Sequence, residues 1–373
     1  MKLTKKILAT AMTLITSVSM TISEASNKPF TSTIMHKVEV KTVDTGGTLL
    51  FSDSPEYVKE NGILYTDTVK GEARVLFYHL NESSSNKKLA IIIENVSKKF
   101  NTIDITRGAT TKPSSNFLKV GKAVQTEYMK NKFSESFYLN KGEKRLLIKD
   151  LEDVIMKPGE LIYGVYDFNA EYPVKVTILM YPQTANPIDF LQFAQILPKD
   201  EQRLRGTFQN MNRTLTVEKI YNPNKDGIMY LMLADNVNDV YKTGIDATDG
   251  SEVVNFGNYG INYEINLSTN DDTRICLTPL GGFYAGAMRL LNYNEEKESK
   301  VILTPKHRTY FGDKTPKEPE HVKKAREEGL SLLTNYTELA ELGTYKGKVS
   351  FEYSPPGASY LPVNIILMPM DKK

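Results

Sequence analysis

The chain has 373 residues, of which 40% are apolar and 25% charged, and it contains 21 Tyr, 15 Phe and no Trp. After the first 25 residues, 44 basic and 44 acidic residues remain. A neutral chain without a basic block is a poor candidate for binding nucleic acid or anionic membrane surfaces. The one cysteine, Cys276, has no internal disulfide partner, so we expect stability to come from the size of the core.

The first 25 residues are ordered like a secretory signal peptide. Three lysines in MKLTKK precede the apolar stretch ILATAMTLITSV, and the small-residue pattern SEA follows. The alternative is an uncleaved membrane anchor, although about a dozen apolar residues are too few to span a bilayer comfortably. We expect bacterial export to a secreted or envelope-associated location, with no integral membrane segment after signal cleavage.

The next segment, residues 26–40, is polar with little periodicity and predicts a flexible leader. From about residue 72 the chain reads as successive strands, among them ARVLFYHLN, LAIIIENVS and YPVKVTILMYP. Short alternating segments separated by Gly, Pro and Asn are typical of antiparallel sandwiches. Residues 41–183 are therefore predicted to form an N-terminal β-sandwich-like domain.

The segment TANPIDFLQFAQILP interrupts the β pattern and predicts a short linking helix near residues 187–196, with Asn186 as its cap. Residues 184–373 are predicted to form a second, β-rich domain. A surface helix is expected near residues 318–333, where apolar residues are few. The predicted fold class is mainly β, with two antiparallel β-sandwich-like domains and these two helices.

The stretch LTPLGGFYAGAMRLL, residues 277–291, has glycines at the spacing of a phosphate-binding loop. Such a loop needs Lys and Ser or Thr directly after the second glycine, and here Ala287 and Met288 occupy those places. We therefore predict a hairpin with its turn at Gly281 and Gly282. Gly286 would then lie inside a strand, where glycine marks a bulge or a close approach.

Calcium is the one cofactor that the sequence suggests, and otherwise we expect none. Hard oxygen ligands gathered on a loop are what calcium requires, and ADNVNDVYKTGIDATDGSE carries five carboxylates close in sequence. The candidate ligands are Asp235, Asp239, Asp246, Asp249 and Glu252. The alternative is a solvated, turn-rich loop.

No catalytic motif is evident. The four histidines share no metal-binding spacing, no G-x-S-x-G elbow occurs, and Cys276 lies in a strand pattern that favours a buried structural thiol. Two tyrosine-rich stretches, YGVYDF and FGNYGINYEINL, suggest a platform for carbohydrate or peptide, with core packing as the alternative.

Four stretches together resemble a group of uncharacterised exported bacterial β-rich proteins. They are DSPEYV…GILYTDTV…ARVLFYHLN, RLRGTF…MNRTLT, TGIDATDG and FEYSPPGASYLPVNIILMP. Some members of that group carry a copper-amine-oxidase-N-terminal-like module, which is not apparent in this chain. The resemblance implies a cell-envelope accessory role and carries over no functional residue.

These observations predict an exported, non-catalytic binding or structural protein of the envelope or the extracellular space. Cell-wall polysaccharide and an envelope protein are the expected partners, and nucleic acid is not. The alternative is a hydrolase that acts on envelope polysaccharide through carboxylates such as Asp246, Asp249 or Glu252.

Overall fold

Alternating apolar and polar residues fold into strands that make up most of the chain, which confirms the mainly β, sandwich-like fold class. The structure is a computed structural model that describes residues 33–280, 282–312, 331–333 and 339–370. Within these residues the strands form two mixed sheets. We call the eleven-stranded sheet, built mainly from the first half of the chain, sheet I, and the ten-stranded sheet, sheet II.

Sheet I has the order β15-β14-β11-β3-β5-β10-β6-β9, with β4 paired to β5 and β7 paired to β10 and β8. Its strands are β3 (Thr48–Ser52), β4 (Tyr57–Val58), β5 (Gly62–Asn81), β6 (Lys87–Asn95), β7 (Asn101–Thr110), β8 (Glu135–Leu139), β9 (Lys144–Leu146), β10 (Leu161–Pro182), β11 (Arg205–Gln209), β14 (Thr243–Asp246) and β15 (Ser251–Val254).

Sheet II has the order β18-β17-β20-β16-β21-β13-β1-β19, with β12 joining β16 to β2. Its strands are β1 (Thr33–Lys37), β2 (Val40–Thr45), β12 (Asn212–Val217), β13 (Ile228–Leu233), β16 (Asn262–Pro279), β17 (Gly286–Tyr293), β18 (Glu296–Thr304), β19 (Ser331–Leu333), β20 (Ala340–Tyr353) and β21 (Val363–Pro369).

The largest core lies between the two sheets. It joins side chains of sheet I such as Leu76 to side chains of sheet II such as Ile265, and it also takes in Val124 and Tyr128 of a helix. A second core lies within sheet I, where β5 and β10 pair along nearly their whole length and β6 and β7 pair with opposite ends of β10. The inter-sheet core is the one that borders the candidate site.

Both sheets take strands from both sides of the predicted boundary at residues 183–184. β3 pairs with β11 in sheet I, and β2 pairs with β12 in sheet II. The described residues accordingly belong to one compact unit. The prediction of two separate sandwich domains missed these pairings because periodicity predicts strands and carries no information about which distant strands pair.

The predicted leader also differs from the structure. Residues 33–37 of the predicted leader form β1, which pairs in parallel with β13 and antiparallel with β19. β19 covers residues 331–333, where the end of the second helix was predicted, so the helix prediction is wrong there. Residues 318–330 of that predicted helix, like residues 1–32, lie outside the described residues.

The linking helix is present as α2 (Pro187–Leu191), shorter than predicted. Asn186 caps it, because its side-chain oxygen accepts from the backbone N–H groups of Ile188 and Asp189. A longer helix, α1 (Phe117–Lys130), has no counterpart among the predicted elements. It is capped by Asn116 and ends at Asn131 in the left-handed conformation. One face of α1 is buried against β7, β10 and β17.

The predicted hairpin at Gly281 and Gly282 is wrong. β16 and β17 are not neighbours, since each pairs with β20 on a different side; Gly281 itself lies outside the described residues. The expected close approach at Gly286 is real, and its cause is Gln125 of α1. A Cβ at Gly286 would overlap the Gln125 side-chain oxygen, which accepts from the Ala287 N–H at 2.8 Å.

Cys276 is buried on β16, as the strand pattern predicted. Burial raises the pKa of its thiol to about 12. The thiol is therefore protonated at neutral pH and behaves as a small apolar side chain.

A buried row of charges crosses three strands of sheet I. Arg74 of β5 and Arg107 of β7 are both register partners of Asp167 on β10. Arg74 makes a bidentate contact with Asp167, with N–O distances of 2.7 and 2.8 Å. The Tyr128 hydroxyl of α1 donates to the same carboxylate at 2.9 Å.

A second row on sheet II faces the first. Glu352 of β20 is the register partner of Arg289 on β17 and forms an ion pair with it at 2.6 Å. Arg107 reaches across from sheet I and binds both Glu352 oxygens, and its guanidinium lies 3.8 Å from the Tyr128 ring centroid. We call these six residues, Arg74, Arg107, Tyr128, Asp167, Arg289 and Glu352, the inter-sheet network.

Replacing Glu352 with Gln leaves Arg107 and Arg289 beside a neutral amide in a buried position. Removing one partner of a buried ion pair typically costs about 3–5 kcal/mol, so we expect the free energy of unfolding in urea to fall by at least about 3 kcal/mol. Glu264→Gln is the matched control, because Glu264 is the exposed register partner of Glu352. Equal unfolding free energies for the two variants would contradict this role.

Replacing Gly286 with Ala forces the Gln125 side chain out of its position between α1 and β17. Overpacking of this kind costs about 1–3 kcal/mol. The cost should be smaller in a Gln125→Ala background, where the overlapping oxygen is absent. A double-mutant cycle by urea unfolding measures the difference, and additive effects of the two substitutions would contradict the close approach.

Candidate functional site

A cleft of about 760 Å³ with aromatic walls lies against the inter-sheet core, next to β3, β5 and β10 of sheet I. Phe51 of β3 and Leu76 of β5, both buried, are among the residues that line it. We call it the aromatic cleft and define it by six aromatic residues and two acids. They are Tyr78, Tyr163, Tyr241, Phe256, Tyr259 and Tyr360, with Asp53 and Glu56.

Strand pairing places the innermost aromatic residues. Tyr78 and Tyr163 are register partners on β5 and β10, and their rings meet edge to face at 5.8 Å between centroids. Gly357 lies against both rings, and a Cβ there would be in close contact with them. The chain that follows β20 can therefore pass directly over this pair.

Two loops supply the outer walls. Asn255 holds the turn that carries Phe256 and Tyr259, because its side chain bonds both the N–H and the carbonyl of Tyr259. The Tyr259 hydroxyl donates to the Ser359 carbonyl at 2.9 Å and so joins this turn to the loop that carries Tyr360. Phe256 and Tyr360 are 52% and 48% exposed, which leaves their rings accessible at the rim.

The acidic groups lie on the loop that follows β3. Two side chains anchor this loop. The buried His79 contacts Ser52 and the Pro55 carbonyl at 2.9 Å each, and the half-buried Asp200 accepts from Ser54 and the Glu56 N–H. Burial lowers the pKa of His79 to about 4, so the ring is neutral at pH 7. Ser52 and His79 are fully buried, so this pair supports the loop and is closed to a substrate.

The Asp53 and Glu56 carboxyl groups are both half-buried in the cleft and accept no hydrogen bond from the described residues. Burial, together with the charge of Asp200, raises the pKa of Glu56 to about 7. Burial, then the charges of Glu56 and Asp200, raise the pKa of Asp53 well above its usual range. The cleft therefore holds at least one neutral carboxylic acid at pH 7, a group that both donates and accepts hydrogen bonds.

The five predicted calcium ligands lie elsewhere and do not come together. Asp235 caps its own loop by accepting from three backbone N–H groups. Asp239 is buried against Arg213 and the Tyr263 hydroxyl. Within the described part of the chain, no group of three or more His, Cys, Asp or Glu is arranged to hold a metal ion.

The other three candidates belong to the β14–β15 hairpin. Asp246 is buried and paired with Arg205 at 2.8 Å, and Asp249 is paired with Lys199 at 2.6 Å. Glu252 is exposed on β15. The positions that calcium would need at Asp239, Asp246 and Asp249 are occupied by cationic side chains; binding of calcium to this loop stays a prediction.

Of the aromatic residues that the sequence suggested as a platform, Tyr163, Phe256 and Tyr259 line the aromatic cleft. Tyr263 and Phe168 instead border a separate polar cleft of about 660 Å³ beside the inter-sheet network. Asp53 and Glu56 were missed. The signal available in the sequence was the turn DSPE, in which two acids flank Ser-Pro three residues apart.

Glu56→Gln should change the pH dependence of stability. A carboxyl whose pKa is raised in the folded state stabilises the fold fully below its unfolded pKa of about 4.5, and this contribution is lost as the pH rises through about 7. On going from pH 5 to pH 8, the wild type should lose on the order of 2 kcal/mol more unfolding free energy than the variant, after allowance for solvent in the cleft. Glu201→Gln, at an exposed position, is the control; identical pH dependence in all three proteins would contradict the raised pKa.

No family model matches this chain, and no curated protein matches it. A solved structure described as "Structure of the Macrobrachium rosenbergii Nodavirus" is similar to it at 10% sequence identity, over 96% of this chain and 97% of that chain, with a TM-score of 0.14. A TM-score at this level supports no argument about fold or function.

Proposed function

We propose that this chain is an exported protein that binds a neutral glycan in the aromatic cleft, at the cell envelope or outside the cell. The observation that carries the proposal is the combination of accessible aromatic rings with two carboxyl groups that have no partner in the described chain. Aromatic faces stack on the apolar faces of sugar rings, and buried polar groups orient the hydroxyls.

The raised pKa values favour an uncharged ligand. A cationic ligand, which aromatic residues also attract, would need ionised carboxylates, and burial opposes ionisation of Asp53 and Glu56. An acidic polysaccharide would meet repulsion as soon as either group ionised. The hydroxyl groups of a neutral glycan can exchange hydrogen bonds with a neutral carboxylic acid. This pairing requires no ionisation of the carboxyl groups and causes no charge repulsion.

The proposed location rests on the signal-like first 25 residues. The two α-helices of the described chain have 14 and five residues, and neither is long and apolar enough to cross a membrane. The polysaccharide of a cell wall is the partner class that fits both the location and the cleft, and an envelope protein is the other expected partner.

Removing a ring at the rim should weaken glycan binding. We expect Tyr360→Ala and Phe256→Ala each to raise the dissociation constant roughly tenfold, the equivalent of about 1.4 kcal/mol of lost stacking and contact. Isothermal titration with hexasaccharides of cellulose, chitin, xylan and amylose, and pull-down with purified peptidoglycan, measure the effect. Both side chains are about half exposed, so the variants should fold normally.

Tyr138→Ala is the matched control, because Tyr138 is 61% exposed and stacks on Phe100 outside the cleft. Its affinity should equal that of the wild type. Binding to none of the probes, or an equal loss of affinity in the Tyr138 variant, would overturn the proposal.

A further inference from the structure

The aromatic cleft contains two carboxyl groups whose arrangement goes beyond what ligand binding alone requires. Both carboxyl groups come from one turn, three residues apart, and both border the same cavity. Neither of them forms an ion pair or accepts a hydrogen bond in the described chain, and the Asp53 Oδ1 atom is buried without a partner. Burying an unpartnered polar atom costs free energy, so these groups do not contribute to the fold as the ion-paired carboxylates do.

The neighbouring acid, Asp200, is different. One of its oxygens accepts from the Ser54 hydroxyl and from the N–H groups of Gln202 and Arg203, and the other accepts from the Glu56 N–H. Those hydrogen bonds use both oxygens of Asp200 and hold the loop in place. The structure thus separates a supporting carboxylate from two that are directed at the cavity.

We propose, on the basis of the glycan binding above, that the aromatic cleft hydrolyses a glycosidic bond of its ligand, with Asp53 as the proton donor and Glu56 as the base that activates water. This assignment replaces the carboxylates Asp246, Asp249 and Glu252 that the sequence suggested for a hydrolase. The first two of those are paired with cations, and none of the three borders the cleft.

The step balances without any redox partner. The Asp53 proton passes to the glycosidic oxygen as the bond from that oxygen to the anomeric carbon breaks. A water oxygen bonds to the anomeric carbon, and Glu56 takes the proton that this water loses. A proton then passes from Glu56 through solvent to Asp53, which restores both groups.

The two roles follow from the environment of each carboxyl group. The Asp53 Oδ1 atom is buried without a partner, and burial raises the pKa of this carboxyl the more strongly, so it keeps its proton. Glu56 ionises at a pKa of about 7 and is available as a base above that pH. Asp200 also faces the pair, and its charge raises the pKa of both carboxyl groups. Four tyrosines from other positions face the pair too, and burial, then nearby charges that include Asp53, raise the pKa of their hydroxyls: Tyr57, Tyr78, Tyr163 and Tyr259.

The test measures binding and cleavage separately on the full chain. We expect wild type to release reducing ends from at least one hexasaccharide that it binds, at a rate that rises as the pH passes through about 7. Asp53→Asn and Glu56→Gln should each lower that rate at least 100-fold with the dissociation constant changed less than threefold. Glu201→Gln is the exposed control and should cleave like the wild type.

Rescue of turnover by azide is a measurement that tests whether Glu56 lies beside the attacking water. With 4-nitrophenyl glycosides of the bound sugar, azide should restore turnover to Glu56→Ala and give a glycosyl azide, because the anion occupies the place of the activated water. A residue that only supports the loop would show no such rescue. Urea unfolding of each variant at pH 7 establishes that it is folded before its rate is read.

The outcomes separate the two proposals. Binding without cleavage by the wild type, or cleavage that survives in both Asp53→Asn and Glu56→Gln, would overturn the catalytic inference and leave glycan binding standing. Absence of binding to every probe would overturn the proposed function, and the catalytic inference with it.

Discussion

The inter-sheet network of ion pairs is the interaction on which the rest of the structure depends. Asp167 lies between two arginines on sheet I, Glu352 lies beside one on sheet II, and Arg107 joins the two rows. Buried charges are costly unless every partner is in place, so the register of β5, β7, β10, β17 and β20 must be satisfied together. That requirement selects one alignment of the sheets, and the aromatic cleft lies against the core that this alignment encloses.

The two sites differ in how charge is compensated. In the inter-sheet network each carboxylate faces guanidinium groups, whereas in the cleft the carboxyl groups of Asp53 and Glu56 face aromatic rings and one another. Ion pairing therefore favours the charged form of the carboxylates in the network, whereas burial favours the neutral form of the carboxyl groups in the cleft. Such a difference in environment within one protein is what separates carboxylates that hold structure from carboxylates that are suited to proton transfer.

Much of the strand content could be predicted from the sequence, because alternation is a local signal that β7 and β12 display clearly. Helix α1 was missed because two of its buried residues, Gln125 and Tyr128, are polar side chains satisfied by distant partners. Phe256 and Tyr259 could be flagged by type. Asp53 and Glu56 could be predicted only as two acids of one turn, because their altered acidity comes from burial by segments far away in the chain.

Helix α1 reaches both places, with Phe117 and Leu118 at the cleft and Tyr128 in the network ten positions later. An α-helix turns by about 100° per residue, so inserting or deleting a single residue between them would point either the aromatic end or the tyrosine away from its partners. The length of this helix is consequently under a stricter constraint than its composition. Variation in length is accommodated more easily in the loops that connect neighbouring strands.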